Sequence, residues 1–155
     1  MKQLKNQMGR TMVEMLAVLA IIGVLTVGAI AGLGQAIEKY RVGRTHDDIL
    51  SIDSAIVDLY SWQRKYPDSL NMSTMCKNNV FPMGCVNDVT AKNIFGGEYE
   101  VTTTGGVQVN IRLTNVPGNI CRDLLSDDMD WGEYLIPDED NPACEADGSF
   151  VIKFY

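Results

Sequence analysis

The hydrophobic positions of this 155-residue chain follow three different rhythms along its length. Residues 15–33 run for nineteen positions with Thr26 as the only polar side chain and no charge. As a helix rising 1.5 Å per residue, such a run covers roughly 28 Å, close to the hydrocarbon thickness of a bilayer. A helix apolar on every side reads as a membrane span rather than as one face of a soluble core. The rhythm then changes. Ile49, Ile52, Ile56, Leu59 and Tyr60 recur at three- and four-residue steps, with Asp47, Asp48, Ser51, Ser54 and Asp58 between them. That is the period of an amphipathic helix, joined to the span through the polar stretch 38–48. Pro67 predicts its end near residue 66, because a proline pushes the preceding residue out of the α region.

The third rhythm is alternation. Residues 98–104 and 107–113 alternate with period two and are joined by Gly105-Gly106, which predicts a tight two-residue hairpin. Residues 70–95 lack a sustained period and read as a connecting loop with at most a short helical turn. A short helix is expected at 119–126 after Pro117, and strands at 133–136 and 149–155, the latter with Phe150, Ile152 and Phe154 on one face. The sum is an α+β protein: a long N-terminal helix, transmembrane in its first half and amphipathic in its second, packed on a small antiparallel sheet of four strands.

Charge adds direction. Thirteen Lys+Arg against 20 Asp+Glu give a net charge of −7, which argues against nucleic acid as the main partner. Lys2, Lys5 and Arg10 precede the span, while Glu38, Lys39, Arg41 and Arg44 after it are mixed. The positive-inside rule places the short N-terminus in the cytoplasm and the head outside. A cleaved signal peptide and a plain anchor are the competing readings of the span. The single histidine, His46, lies in the polar stretch and reads as a solvated helix residue. Residues 121–148 hold ten acids against one base, Arg122, which describes a solvated face. Asp128 and Asp130 are weak calcium candidates within it, since clustered carboxylates suit a hard cation. Trp62 and Trp131 read as core or subunit contacts. No cofactor is expected.

Glu14 sharpens the reading. The segment Gly9-Arg10-Thr11-Met12-Val13-Glu14-Met15-Leu16, with glycine five residues before a glutamate and an apolar helix starting at once, resembles the leader junction of type IV prepilins. The resemblance implies a leader at 1–9, cut between Gly9 and Arg10 by a prepilin peptidase on the cytoplasmic side. It implies N-methylation of the new amine on Arg10. It also implies that Glu14 neutralises the N-terminal amine of a neighbouring subunit during filament assembly. Arg10 is a departure, because the first mature residue in that family is usually apolar. On the residues alone, Glu14 could equally be an acid held at headgroup level. Gly23, Gly28 and Gly32 offer small surfaces for helix packing, the last two as a small-xxx-small pair. Residues 93–99, Asn-Ile-Phe-Gly-Gly-Glu-Tyr, with Asn115-Val116-Pro117 before Cys121, resemble the head of type IVb pilins.

The four cysteines, Cys76, Cys85, Cys121 and Cys144, all follow the span, which points to disulfides in an exterior domain. Three pairings are possible; the sequential one, Cys76–Cys85 with Cys121–Cys144, is preferred. Its second bridge resembles the C-terminal disulfide loop of type IV pilins. The organisation expected is a leader at 1–9, an assembly helix at 10–34 and a head at 35–155. By resemblance the chain is a structural subunit of a type IV pilus and not an enzyme. Its partners would be copies of itself or related pilins, the peptidase, the inner-membrane assembly platform and membrane lipid. It would be a single-pass inner-membrane protein before assembly and part of an extracellular pilus after it. A pseudopilin of a type II secretion or DNA-uptake system is the alternative, as is a membrane-tethered binding domain that never polymerises.

Overall fold

One helix, α1 (Met12–Tyr60), carries the first two rhythms without interruption. No proline occurs within it, and its first half is built largely of Ala, Leu, Val, Gly and Ile. The computed structural model describes residues 12–67, 70, 72–126, 129–133, 135–137 and 148–154. The chain divides into two units, residues 1–39 and 40–155. In the first unit the apolar side chains of α1 stand exposed, from Met12 and Leu16 through Ile22, Leu25 and Ile30 to Ile37. In the second unit α1 buries one stripe, Val42, Thr45, Asp48, Ile49, Ile52 and Ile56, at the spacing the pattern predicts.

Helix α1 stops at Tyr60, about six residues before the expected end. Gln63 N–H donates to Tyr60 O at 2.9 Å, closing a turn. Tyr66 N–H is taken by Gly106 O at 2.8 Å. The backbone at 66 is therefore tied to the loop around Gly106, and the helix ends well before Pro67 acts.

Residues 70–95 are more structured than expected. They form α2 (Met72–Lys77), β1 (Cys85–Val86) and β2 (Thr90–Lys92). Strands this short cannot show an alternation, so periodicity misses them. The β1–β2 turn places Asn87 and Asp88 at φ 54° and 55°, the left-handed region their side chains tolerate. There follow β3 (Glu98–Thr104), β4 (Gln108–Leu113), α3 (Gly118–Leu124), β5 (Leu135–Pro137) and β6 (Phe150–Phe154). They make one antiparallel sheet of six strands, in the order β1-β2-β3-β4-β6-β5, where four were expected.

The register of β3 on β4 runs from Tyr99↔Leu113 to Thr104↔Gln108. The hairpin loop is thus three residues, 105–107, rather than two. Gly105 and Gly106 both lie at positive φ, as the doublet requires. Inward side chains Val109, Ile111, Leu113, Phe150, Ile152 and Phe154 are all within 1% of full burial and form the core with Ile49, Ile52 and Ile56 of α1. Alternation decided which face is inside, because a one-residue slip would turn all of these outward.

Cys76 and Cys85 are disulfide-bonded, with Cα atoms 5.6 Å apart, so α2 is stapled to the edge strand β1. Cys121 is disulfide-bonded as well, and Cys144 lies outside the described residues.

Candidate functional site

The first unit presents a surface rather than a pocket. Among the described residues, α1 is the one helix long and apolar enough to cross a membrane. The lone hydroxyl of its apolar run, residues 15–33, is internally satisfied, since Thr26 Oγ1 donates to Ile22 O at 2.7 Å, so it needs no water. At Gly23, Gly28, Gly32 and Gly34 an added Cβ would meet nothing within 4 Å. Among the described residues, nothing packs against those glycines. Gly28 and Gly32, one turn apart, leave a strip of bare backbone on which another helix can sit closely. Glu14 lies in the first turn of α1, where a helix N-terminus favours an acid. Gly9 and Arg10 lie outside the described residues.

In the head, the stretch 93–97 is organised by one side chain that periodicity passes over. Asn93 is 3% exposed. Its Oδ1 accepts from Phe95 N–H and Gly97 N–H, each at 3.0 Å, and its Nδ2 donates to Thr114 O at 2.8 Å. Asn115 Nδ2 donates to Phe95 O at 2.8 Å and closes the same loop. Gly97 lies so close to the end of β4 that an added Cβ would fall 2.0 Å from Thr114 O. The residues resembling a type IVb head are therefore a loop locked onto the Thr114–Asn115 corner. The signal available beforehand was an asparagine followed by turn glycines, an Asx-turn pattern.

A second polar cluster sits under α1. Asp48 is 1% exposed; Arg44 Nε approaches its Oδ1 at 3.1 Å, and Tyr99 Oη lies 3.5 Å from its Oδ2. Burial raises the Asp48 pKa above the ordinary carboxylate value of 3.8, and the Arg44 pairing only partly opposes it. Burial and the neighbouring Asp48 likewise push the Tyr99 phenol up. A carboxylate with a raised folded pKa stabilises the fold fully below its unfolded value and loses that contribution as pH rises through the folded one. Relative to Asp48→Asn, the wild type should therefore lose stability as pH rises from 4 toward 7. Thermal melts of both proteins across that range measure this, and a difference in melting temperature that stays flat with pH contradicts it.

His46 is not the solvated residue expected. Its Nε2–H donates to Asp130 O at 2.8 Å, and its ring lies 4.7 Å from that of Trp131. Residues 129–131 fold over the helix, a long-range contact that local sequence cannot display. Trp131 belongs to the core: it is 6% exposed, its Nε1–H donates to Leu124 O at 3.0 Å, and it stacks on Phe150. Trp62 does not belong to the core, standing 96% exposed just past the end of α1.

Of the weak calcium candidates, Asp128 lies outside the described residues, and Asp130 Oδ1 accepts from Gly132 N–H at 2.9 Å. Among the described residues no group of three or more His, Cys, Asp or Glu is placed to hold a metal ion. Two shallow hollows open on the head. One, of about 270 Å³, is lined by Arg41, Ile94, Phe95, Asn115, Val116 and Pro117. The other, of about 230 Å³, lies between Tyr60, Arg64, Lys65, Tyr66 and the β3–β4 loop. Both fall below the roughly 300 Å³ at which ligand clefts begin, and neither sets a nucleophile against a base.

Comparison with known proteins agrees with this arrangement. A family model described as PilS N terminal matches residues 39–147, more than two thirds of the chain and almost the whole head. The toxin coregulated pilin of Vibrio cholerae serotype O1 is 29% identical over 94 residues, which cover 59% of this chain. The aligned stretch spans 42% of that pilin, less than half its length. Since the family match falls on the helix-on-sheet head whose Asn93 loop, core and α2–β1 staple are described above, the chain belongs to the PilS N-terminal family and is a type IV pilin-like protein.

Proposed function

We propose that the chain is a structural subunit of a type IV pilus, polymerised through the first half of α1. The observation that carries this reading is the exposed apolar surface of residues 12–37 on the helix that also enters the family's head. Displayed in water, so many apolar side chains would aggregate; in lipid or in a bundle of identical helices each has a partner.

The mechanism follows from exchanging one apolar setting for the other. Lipid tails and neighbouring helices are about equally apolar, so the exchange itself supplies little free energy. Close packing at Gly23, Gly28 and Gly32 and pairing of charge must set the register. Cleavage between Gly9 and Arg10 exposes an amine, N-methylated on Arg10, and Glu14 of one subunit neutralises that of its neighbour. The arginine side chain adds a second cation beside Glu14, which makes a carboxylate there more necessary. Before assembly the helix spans the inner membrane with the head outside, the bridges Cys76–Cys85 and Cys121–Cys144 suiting that compartment. Its partners are the prepilin peptidase, the assembly platform and further copies of the chain. The role is structural and involves no catalysis.

The test is the mature N-terminus. Mass spectrometry of protein from the native host should find a chain starting at a methylated Arg10, and Gly9→Val should leave it unprocessed. A mature protein that retains residues 1–9 rejects the proposal. A processed protein with no filament on cells transfers the role to a pseudopilin.

A further inference from the structure

Arg41, in the first turn of the head, stands exposed without a counter-charge. Arg44 pairs with Asp48 at 3.1 Å, but no carboxylate lies within 4 Å of Arg41 among the described residues. Arg41 instead lines the hollow of about 270 Å³ with Ile94, Phe95, Asn115, Val116 and Pro117, all of them residues of the second unit. The backbone N–H groups of Ile94 and Asn115 take no acceptor among the described residues, whereas those of Phe95, Gly96 and Gly97 are held by Asn93. A guanidinium and two open amides beside the half-buried Ile94 and Phe95 make an anion site with an apolar wall.

Its place on α1 says which anion. The uncharged run of the helix lasts from Met15 to Ile37, and Arg41 follows four residues later, roughly 6 Å along the axis. With that run in the hydrocarbon, Arg41 lies in the headgroup layer, about 5–8 Å deep on each side of a bilayer. Its long side chain can keep its charged end among the phosphates. Tyr40 beside it is 70% exposed, an amphipathic aromatic of the kind that membrane interfaces favour. The chain as a whole carries a net charge of −7, which an anionic surface would repel, so attraction has to be local to such a cation.

We infer that this hollow holds the phosphate of an anionic phospholipid headgroup, from the leaflet on the head's side of the membrane that carries α1. Arg41 donates to the phosphate oxygens as a fork, a geometry lysine lacks. The Ile94 and Asn115 amides complete the donor set, and Ile94 and Phe95 cover the apolar part of the headgroup. The contact seats the head on the bilayer before assembly and is given up when the helix leaves the lipid. The inference rests on the membrane-resident stage proposed above.

Full-length protein in lipid nanodiscs gives the test, read by amide hydrogen exchange. In discs containing phosphatidylglycerol, exchange at Ile94 and Asn115 should slow several-fold relative to discs of phosphatidylcholine alone. Arg41→Gln should remove that difference, and Arg41→Lys should keep part of it. Arg64→Gln, which removes a cation outside the hollow, should leave it unchanged. Equal exchange in the two discs overturns the inference, as does protection that survives Arg41→Gln. If inorganic phosphate added to the phosphatidylcholine discs gives the same protection, the hollow takes free phosphate and the lipid assignment falls. None of these outcomes depends on cleavage at Gly9 or on filaments, so the subunit role stands or falls by its own test. A chain that does not insert into the discs overturns the span, and this inference with it.

Discussion

Gly97→Ala should destabilise the head by at least about 3 kcal/mol, the upper range for forcing a group into a packed site. The new methyl would lie 2.0 Å from Thr114 O and 2.6 Å from Thr114 C. Both are backbone atoms, so no rotamer change relieves the clash. Thr114 cannot retreat cheaply either. Its N–H donates to Glu98 O at 3.0 Å, its Oγ1 accepts from Glu98 N–H at 2.8 Å, and its carbonyl holds Asn93. Moving it breaks the Asn93 network and leaves buried amides unsatisfied, each costing roughly 1–3 kcal/mol.

The neighbouring glycine is the internal control. Gly96 lies at φ 81° with open space where a Cβ would go. Gly96→Ala should therefore cost only the left-handed backbone penalty of roughly 1 kcal/mol. Denaturant melts of the two variants compare a steric clash with a conformational cost at adjacent positions. Equal losses would show that the approach of Gly97 to β4 is not what holds the loop.

Glu14→Ala should abolish filaments while leaving the protein cleaved and membrane-inserted. Removing a charge from the edge of a span can only ease insertion. Assembly responds in the opposite sense. On the proposed assembly, a neighbour's amine drawn into an apolar bundle without its carboxylate carries an uncompensated buried charge, a penalty of roughly 3–5 kcal/mol. At about 1.4 kcal/mol per decade, that lowers each subunit's addition constant by two to three orders of magnitude. Glu14→Gln keeps the shape and should fail in the same way, which separates charge from packing. Electron microscopy of cells, together with quantification of the membrane-bound subunit, gives both readouts. Normal filaments from either variant would remove Glu14 from the assembly step.

The elements legible beforehand are those held by local pattern over many residues. The α1 stripe Ile49, Ile52 and Ile56, the β3–β4 hairpin and the inward face of β6 were all readable, since each repeats its signal several times. Strands β1 and β2, of two and three residues, have no period to read. Buried Asp48 and Thr45 sit on the core stripe of α1 where the pattern asks for apolar residues. Arg44, one turn back on α1, and Tyr99, brought close by folding, make Asp48 tolerable there. Asn93 looked like one loop residue among many; two of its side-chain hydrogen bonds are local, to Phe95 and Gly97 N–H, and the third reaches Thr114, twenty-one residues away.

By itself the sequence determined that there is one apolar helix able to span a membrane, an amphipathic continuation and an alternating sheet, because periodicity and length are properties of neighbours in the chain. Tertiary structure decided where α1 ends, that His46 is capped by Asp130 and Trp131, that Gly97 must be glycine and that Trp62 stays in water. Each of these depends on which distant backbone arrives alongside, and no local pattern records that.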